Sequence, residues 1–154
     1  MRNNKFLLIF LLSVCLKPVF SQHLDILNTG SFKGELNGQR FDTGIRFGTS
    51  ENLFVIEASD DDFVLIIIWR DIGSIDEIKK QFIKLPAEDD RVSVTFIEKN
   101  TNFIITGGLL HIYRKDSQGL NGTIEFTARN RFTKNNNDQR ASLLEGNFSI
   151  DLVE

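Results

Sequence analysis

The stretch "FKGELNGQRFDTGIRF", residues 32–47, carries the strongest local signal for the fold of this chain. Its two halves alternate between apolar and polar side chains, with the period of two that an extended strand imposes. Asn37 and Gly38 lie between the halves, and both residues tolerate the positive φ angles of a two-residue turn. The stretch is therefore predicted to form a β-hairpin.

The same alternation, interrupted by turn residues, continues towards the C-terminus. The predicted strands after residue 47 are "NLFVIEAS", "FVLIIIWR", "VSVTFIE", "NFIITGG", "LLHIYRK", "GLNGTIEFTARNRF" and "SLLEGNFSIDLV". Their predicted connections are Asp60–Asp62, Asn100–Asn102, Asp116–Gly119 and the polar loop Thr133–Arg140. About eight to ten closely spaced strands of this kind predict an all-β fold, an antiparallel barrel or sandwich.

One of these segments, Phe63–Trp69, is apolar on both faces. Phe63, Leu65, Ile67 and Trp69 point one way, and Val64, Ile66 and Ile68 point the other way. Because an exposed strand of this composition is prone to aggregation, we expect it to be central in the sheet.

A helix is predicted over Gly73–Pro86, "GSIDEIKKQFIKLP". Ser74 and Glu77 have the spacing of a capping box, and Ile75, Ile78 and Phe82 recur at helical spacing until Pro86. This short amphipathic helix is expected to cover part of the sheet, including the second face of Phe63–Trp69.

The first 21 residues have the features of a secretion signal. Arg2 and Lys5 precede an apolar run of eleven residues, Phe6–Leu16, which is too short to span a membrane. The preferred cleavage point lies between Ser21 and Gln22. This division predicts a signal peptide, 1–21, followed by one exported β-rich domain, 22–154.

Cys15 is the only cysteine of the chain, and it raises the alternative of a lipoprotein anchored through its thiol. Val14 stands where lipid attachment generally requires a small residue, so we favour removal of Cys15 with the signal. A different cut, after Phe20, would place His23 third from the new terminus, where it can complete a square-planar Cu(II) or Ni(II) site. The preferred cut removes that site.

Charge and composition narrow the range of partners. Loss of the three cations in residues 1–21 takes the net charge from -3 to about -6, and the remaining basic residues are scattered. This distribution disfavours nucleic acid and anionic membrane surfaces as partners.

The residues that could carry chemistry are few. His111 is a candidate general base or ligand, with acids or Tyr113 as possible companions, but a lone strand histidine is usually structural. A pair of carboxylates such as Glu57 and Glu125 could meet across a cavity, as glycoside hydrolysis requires. The acidic runs 60–62 and 88–90 lack the spacing of a calcium loop and are expected to solvate turns. No catalytic, cofactor or metal site is therefore predicted.

A short signal that ends in Ser21-Gln22 and four short motifs carry a family resemblance: "LNGQRF", "GGLLHIYRKD", "LNGTIEFTA" and "LEGNFSIDL". In these the chain resembles small exported proteins of unknown function from Bacteroidota. The resemblance implies a β-rich, sometimes lipocalin-like domain and assigns no functional residue. The chain departs from that group in "GSIDEIKKQF", where relatives carry a glycine-tyrosine turn, and in lacking an anchoring cysteine after the signal.

Three hypotheses for function follow, the first being a non-enzymatic extracytoplasmic binding domain. A barrel of about eight strands can hold one small apolar ligand, with Phe, Ile and Leu side chains lining the cavity. The alternative is that the same side chains fill a solid sandwich core. The second is an interaction protein, such as an envelope component or a periplasmic inhibitor, with its contacts in the loop 133–140. The third is a hydrolase that uses His111 and nearby carboxylates.

Overall fold

A computed structural model describes residues 25–50, 52–71, 78, 80–88, 91–116, 119–132 and 140–151. These residues form nine strands, which are β1 (Asp25–Leu36), β2 (Gln39–Ser50), β3 (Leu53–Ser59), β4 (Phe63–Arg70), β5 (Gln81–Leu85), β6 (Val92–Glu98), β7 (Thr101–Asp116), β8 (Gly119–Asn130) and β9 (Arg140–Asp151).

Eight of the strands close into an antiparallel barrel. Their order is β7-β6-β4-β3-β2-β1-β9-β8, and β8 pairs with β7 to complete the ring. β5 is a ninth strand, which pairs antiparallel with the later part of β7. The all-β prediction is confirmed, and of its two alternatives the barrel is the one observed.

The predicted hairpin of residues 32–47 is present as β1 and β2. Asn37 and Gly38 form its turn with φ angles of 51° and 83°, so both adopt the left-handed conformation of a primed hairpin turn. The connection predicted at Asn100–Asn102 lies one residue earlier in the structure. Its turn residues are Lys99 and Asn100, with φ of 46° and 64°, while Thr101 and Asn102 already belong to β7.

The two segments "NFIITGG" and "LLHIYRK", predicted as separate strands, are one strand, β7. The pairing of β7 with β8 shifts by one residue between Ile105 and Gly107. A bulge of this kind bends a strand without ending it, and glycine accommodates the bend. β7 is therefore long enough to pair with β6 near its start and with β5 further along.

Side chains fill the interior of the barrel. A chain of aromatic rings from five different strands crosses it: Phe32 and Phe41 at 5.0 Å between ring centroids, Phe41 and Phe63 at 5.0 Å, Phe63 and Phe96 at 6.3 Å, and Phe96 and Phe126 at 5.1 Å. Gly122 faces this interior, and a Cβ there would meet the Phe148 ring and lie 2.6 Å from the His111 carbonyl oxygen. An eight-stranded barrel is just wide enough to be filled in this way.

β4 has the central position expected for residues 63–69, since it pairs with both β3 and β6. Phe63, Leu65, Ile67 and Trp69 are buried in the core, and the alternate side chains are half-buried on the outer face. On that face they lie beside Val55 of β3, which is buried although it is outside the core cluster.

The predicted helix over Gly73–Pro86 is wrong in its second half. Residues 81–85 form β5, while residues 72–77 and 79 lie outside the described residues. Ile78 is buried as expected, but Phe82 is exposed. Ile83 and Leu85 lie on one side of the strand and pack in or against the core, and the hydrogen bonds offered by the free edge of β7 favour the strand.

Candidate functional site

Four side chains form an exposed patch on the outside of β5 and β7, which we call the aromatic face: Phe82, Leu109, His111 and Tyr113. Phe82 is 62% exposed, Leu109 39% and Tyr113 36%, while His111 is half-buried between its neighbours. Contiguous exposed apolar patches rimmed by polar residues are a common feature of interaction sites.

The rings of the aromatic face are ordered against one another. Phe82 and His111 are cross-strand partners whose rings stack at 4.0 Å with an interplanar angle of 7°. Tyr113 lies two residues along β7, with its ring 5.1 Å from His111. The Lys80 ammonium lies 5.5 Å from the centre of the Phe82 ring, so a cation borders the face.

Strand alternation explains why these side chains point outwards. Leu110 and Ile112 of β7 are fully buried in the core, so Leu109, His111 and Tyr113 must occupy the opposite face. On the neighbouring strand β8 the cross-strand partners are polar, namely Glu125, Thr123 and Asn121 in the same order. The face is thus an apolar strip with a polar border.

His111 was the main chemical candidate in the sequence, and its surroundings do not assemble a catalytic group. Its Nε2 atom is buried and has no hydrogen-bond partner among the residues that the structure describes. Glu57 on β3 and Glu125 on β8 are four strands apart in either direction around the barrel, and both lie on its outside. These carboxylates therefore do not meet across a cavity.

The acidic run 60–62 forms the turn between β3 and β4. The Asp60 carboxylate accepts hydrogen bonds from the backbone N–H groups of Asp62, at 2.8 Å, and Phe63, at 2.9 Å. Asp60 therefore acts as a turn residue, as expected. Of the second run, Glu88 is exposed and residues 89 and 90 lie outside the described residues. Within the described ranges no group of three potential metal ligands occurs.

A depression of about 620 Å³ runs beside β5, and we call it the β5 groove. Four consecutive residues of the strand line one side: Gln81, Phe82, Ile83 and Lys84. The rest of the lining includes Trp69 and Arg70 at the end of β4, Val92 at the start of β6, and Arg91 just before it. A second depression, of about 500 Å³, adjoins it between β6 and the end of β5. Phe82 belongs to both the groove and the aromatic face.

The aromatic face was not predicted from the sequence, although part of its signal was present. The alternation in "LLHIYRK" places Leu109, His111 and Tyr113 on one side of a strand. Phe82 was assigned to the apolar side of a helix, so its position beside His111 was missed. Only the pairing of β5 with β7 brings the two segments together.

Other sequence-based candidates lie outside the described residues. These are Cys15, His23, the predicted signal and residues 133–139 of the polar loop. In the part of the chain that the structure describes, no helix has the length and apolarity of a membrane span.

Comparisons with protein-family models, with curated proteins and with solved structures found no match to this chain.

Proposed function

We propose that the protein is a non-enzymatic, extracytoplasmic binding domain that contacts a partner protein through the aromatic face. The observation that carries this proposal is the exposure of Phe82 and its stacking on His111, beside Leu109 and Tyr113. The packed interior supports an outer binding surface over a ligand held inside the barrel.

The chemistry of the aromatic face suits a protein partner. Exposed aromatic side chains surrounded by polar residues are the common anchors of protein–protein interfaces. The rings of Phe82 and His111 are already held by stacking, so little side-chain freedom is lost on binding. An envelope component and an inhibitor of a periplasmic enzyme both fit this description, and the identity of the partner decides between them.

The proposal predicts a site-specific crosslink. The photoreactive amino acid p-benzoyl-phenylalanine is introduced at position 82 or 113, and the variant is produced in the native host. On irradiation of these cells we expect one discrete adduct. The reactive ring would lie against the partner at both positions. Mass spectrometry of the adduct identifies the partner.

Position 132 provides the matched control. Phe132 is 74% exposed and lies just after the end of β8. That end of β8 pairs with the start of β7, whereas Tyr113 lies near the other end of β7. It should give no adduct. Equal labelling from positions 82, 113 and 132, or none from any of them, would contradict a partner at the aromatic face.

The proposed compartment has its own test, the intact mass of the protein purified from its native host. We expect the mass of residues 22–154 without added lipid, because Ser21-Gln22 is the preferred cut. A mass that includes a lipidated Cys15 would replace this proposal with an anchored lipoprotein. A mass that includes unmodified residues 1–21 would contradict export through a cleaved signal.

A further inference from the structure

We propose that the β5 groove binds an extended peptide segment of the partner, which adds to β5 as a further antiparallel strand. This inference rests on the proposed function and names the kind of contact that the partner makes. The groove and the aromatic face share Phe82, so one bound segment would touch both.

The shape of the groove is the first argument. Successive side chains of a strand point to opposite faces of the sheet, so a depression on one face touches every second residue. The β5 groove is lined by four consecutive residues, from Gln81 to Lys84. It therefore follows the edge of β5, where the backbone itself is accessible.

The pairing of β5 is the second argument. Among the described residues β5 pairs with β7 alone, and it is the last strand of the sheet order. Every second residue of an antiparallel strand directs its N–H and C=O away from its partner strand. These groups offer an added strand a row of hydrogen bonds, which is the basis of recognition by β-augmentation.

The end of β4 gives the groove its opposite side. Asp71 has a φ of 59°, and its N–H donates to the Asn52 carbonyl oxygen at 2.9 Å. The chain therefore leaves the strand direction at Asp71, immediately after Arg70. The edge of β5 consequently faces Trp69, Arg70 and Val92 across the groove.

The lining residues define the pattern of the peptide. Its inward side chains would lie near Ile78, Ile83, Trp69 and Val92, which favours apolar residues at alternate positions. Its outward side chains would lie beside Phe82 and Lys84, which favours a polar or acidic residue. Trp69 is 3% exposed and its indole N–H lacks an acceptor among the described residues, so a peptide carbonyl that reached it would satisfy a buried donor.

A single peptide suits this site better than a second copy of the chain. In a symmetric dimer both copies would have to present the same edge. The β5 edge lies within a groove whose other side belongs to β4 and β6, and the partner edge would be recessed in the same way. An extended peptide segment is not recessed in this way, so it can enter the groove and reach the edge of β5.

The test uses a fluorescein-labelled heptapeptide of sequence Thr-Val-Glu-Val-Thr-Val-Thr and measures its dissociation constant by anisotropy. Two further peptides carry N-methyl groups on their backbone nitrogens. In one peptide the valines are methylated, and in the other the threonines and the glutamate are methylated. Only one set of N–H groups faces β5 in a given strand orientation. We expect one methylated peptide to bind at least about 20-fold more weakly and the other to bind like the parent, since two or three hydrogen bonds are lost.

Protein variants separate this inference from the proposed function. Phe82→Ser should weaken binding of the parent peptide, and Phe132→Ser should not. No binding of the parent peptide, or equal binding of both methylated peptides, overturns strand addition. If the photocrosslinks at positions 82 and 113 are still found in that case, the aromatic face stands as the partner site and only the strand contact is wrong.

Discussion

Replacing Phe96 with alanine is expected to lower the free energy of unfolding by about 3 to 5 kcal/mol. Phe96 is 1% exposed and belongs to the aromatic chain, with its ring centroid 5.1 Å from that of Phe126, 5.6 Å from that of Phe103 and 6.3 Å from that of Phe63. Removing the ring leaves a cavity bounded by other rings, which cannot collapse without moving several strands. Denaturant unfolding followed by Trp69 fluorescence measures the change.

Phe132→Ala is the matched control, because the same atoms are removed from a side chain that is 74% exposed. It should change the free energy of unfolding by less than about 0.5 kcal/mol. Comparable losses in the two variants would show that the aromatic chain is not the core of the barrel.

The Phe96 variant also tests whether the wild-type interior is filled. An apolar cavity created by truncation stays dry and can bind a small apolar probe such as benzene or xenon. We expect Phe96→Ala to bind such a probe and the wild type to show no saturable uptake within the barrel. Equal uptake by both would restore the hypothesis of an internal ligand.

Replacing Asn37 with alanine is expected to cost about 2 kcal/mol, the second of the large effects. Asn37 has a φ of 51°, a conformation that alanine adopts only with strain. Its side chain accepts a hydrogen bond from the Ser142 N–H at 2.8 Å and donates one to the Glu98 carboxylate at 3.0 Å. Asn37 therefore links the β1–β2 turn to the end of β6 and to β9, which are distant in sequence.

Asn37→Gly separates the two contributions. Glycine keeps the turn conformation and loses the side-chain hydrogen bonds, so it should cost about half as much as alanine. Glu98→Gln keeps an acceptor for Asn37 and should stay within about 0.5 kcal/mol of the wild type. A glycine variant as unstable as the alanine variant would assign the whole effect to the hydrogen bonds.

The hairpins were predictable because their information is local. Asn37-Gly38 between alternating segments fixes a turn and the register of β1 with β2 at the same time. The same holds for β3 and β4, where Asp60 closes the turn with its own side chain. The alternation in β4 also divided its side chains correctly into two sets, but it did not indicate which set faces the core.

The segment at residues 81–85 was not predictable in this way. Ile78 and Phe82 are four residues apart, which fits a helix, whereas Ile83 and Leu85 are two residues apart, which fits one face of a strand. A helix satisfies its backbone hydrogen bonds within itself, whereas a strand needs an open edge. That edge is supplied by residues 108–112 of β7, which follow more than twenty residues later in the chain. A pattern within residues 73–86 cannot show that this edge is available.

By itself the sequence determined an antiparallel all-β fold, the turns of its first two hairpins and the division of strand side chains between two faces, because turn conformation and side-chain alternation act over a few residues. Only the tertiary structure decided that the sheet closes through β7 and β8, that its interior is filled, and that Phe82 stacks on His111. These features depend on which strand edges pair and on the number of strands, which sets the diameter of the closed sheet. Both are settled by packing between distant segments.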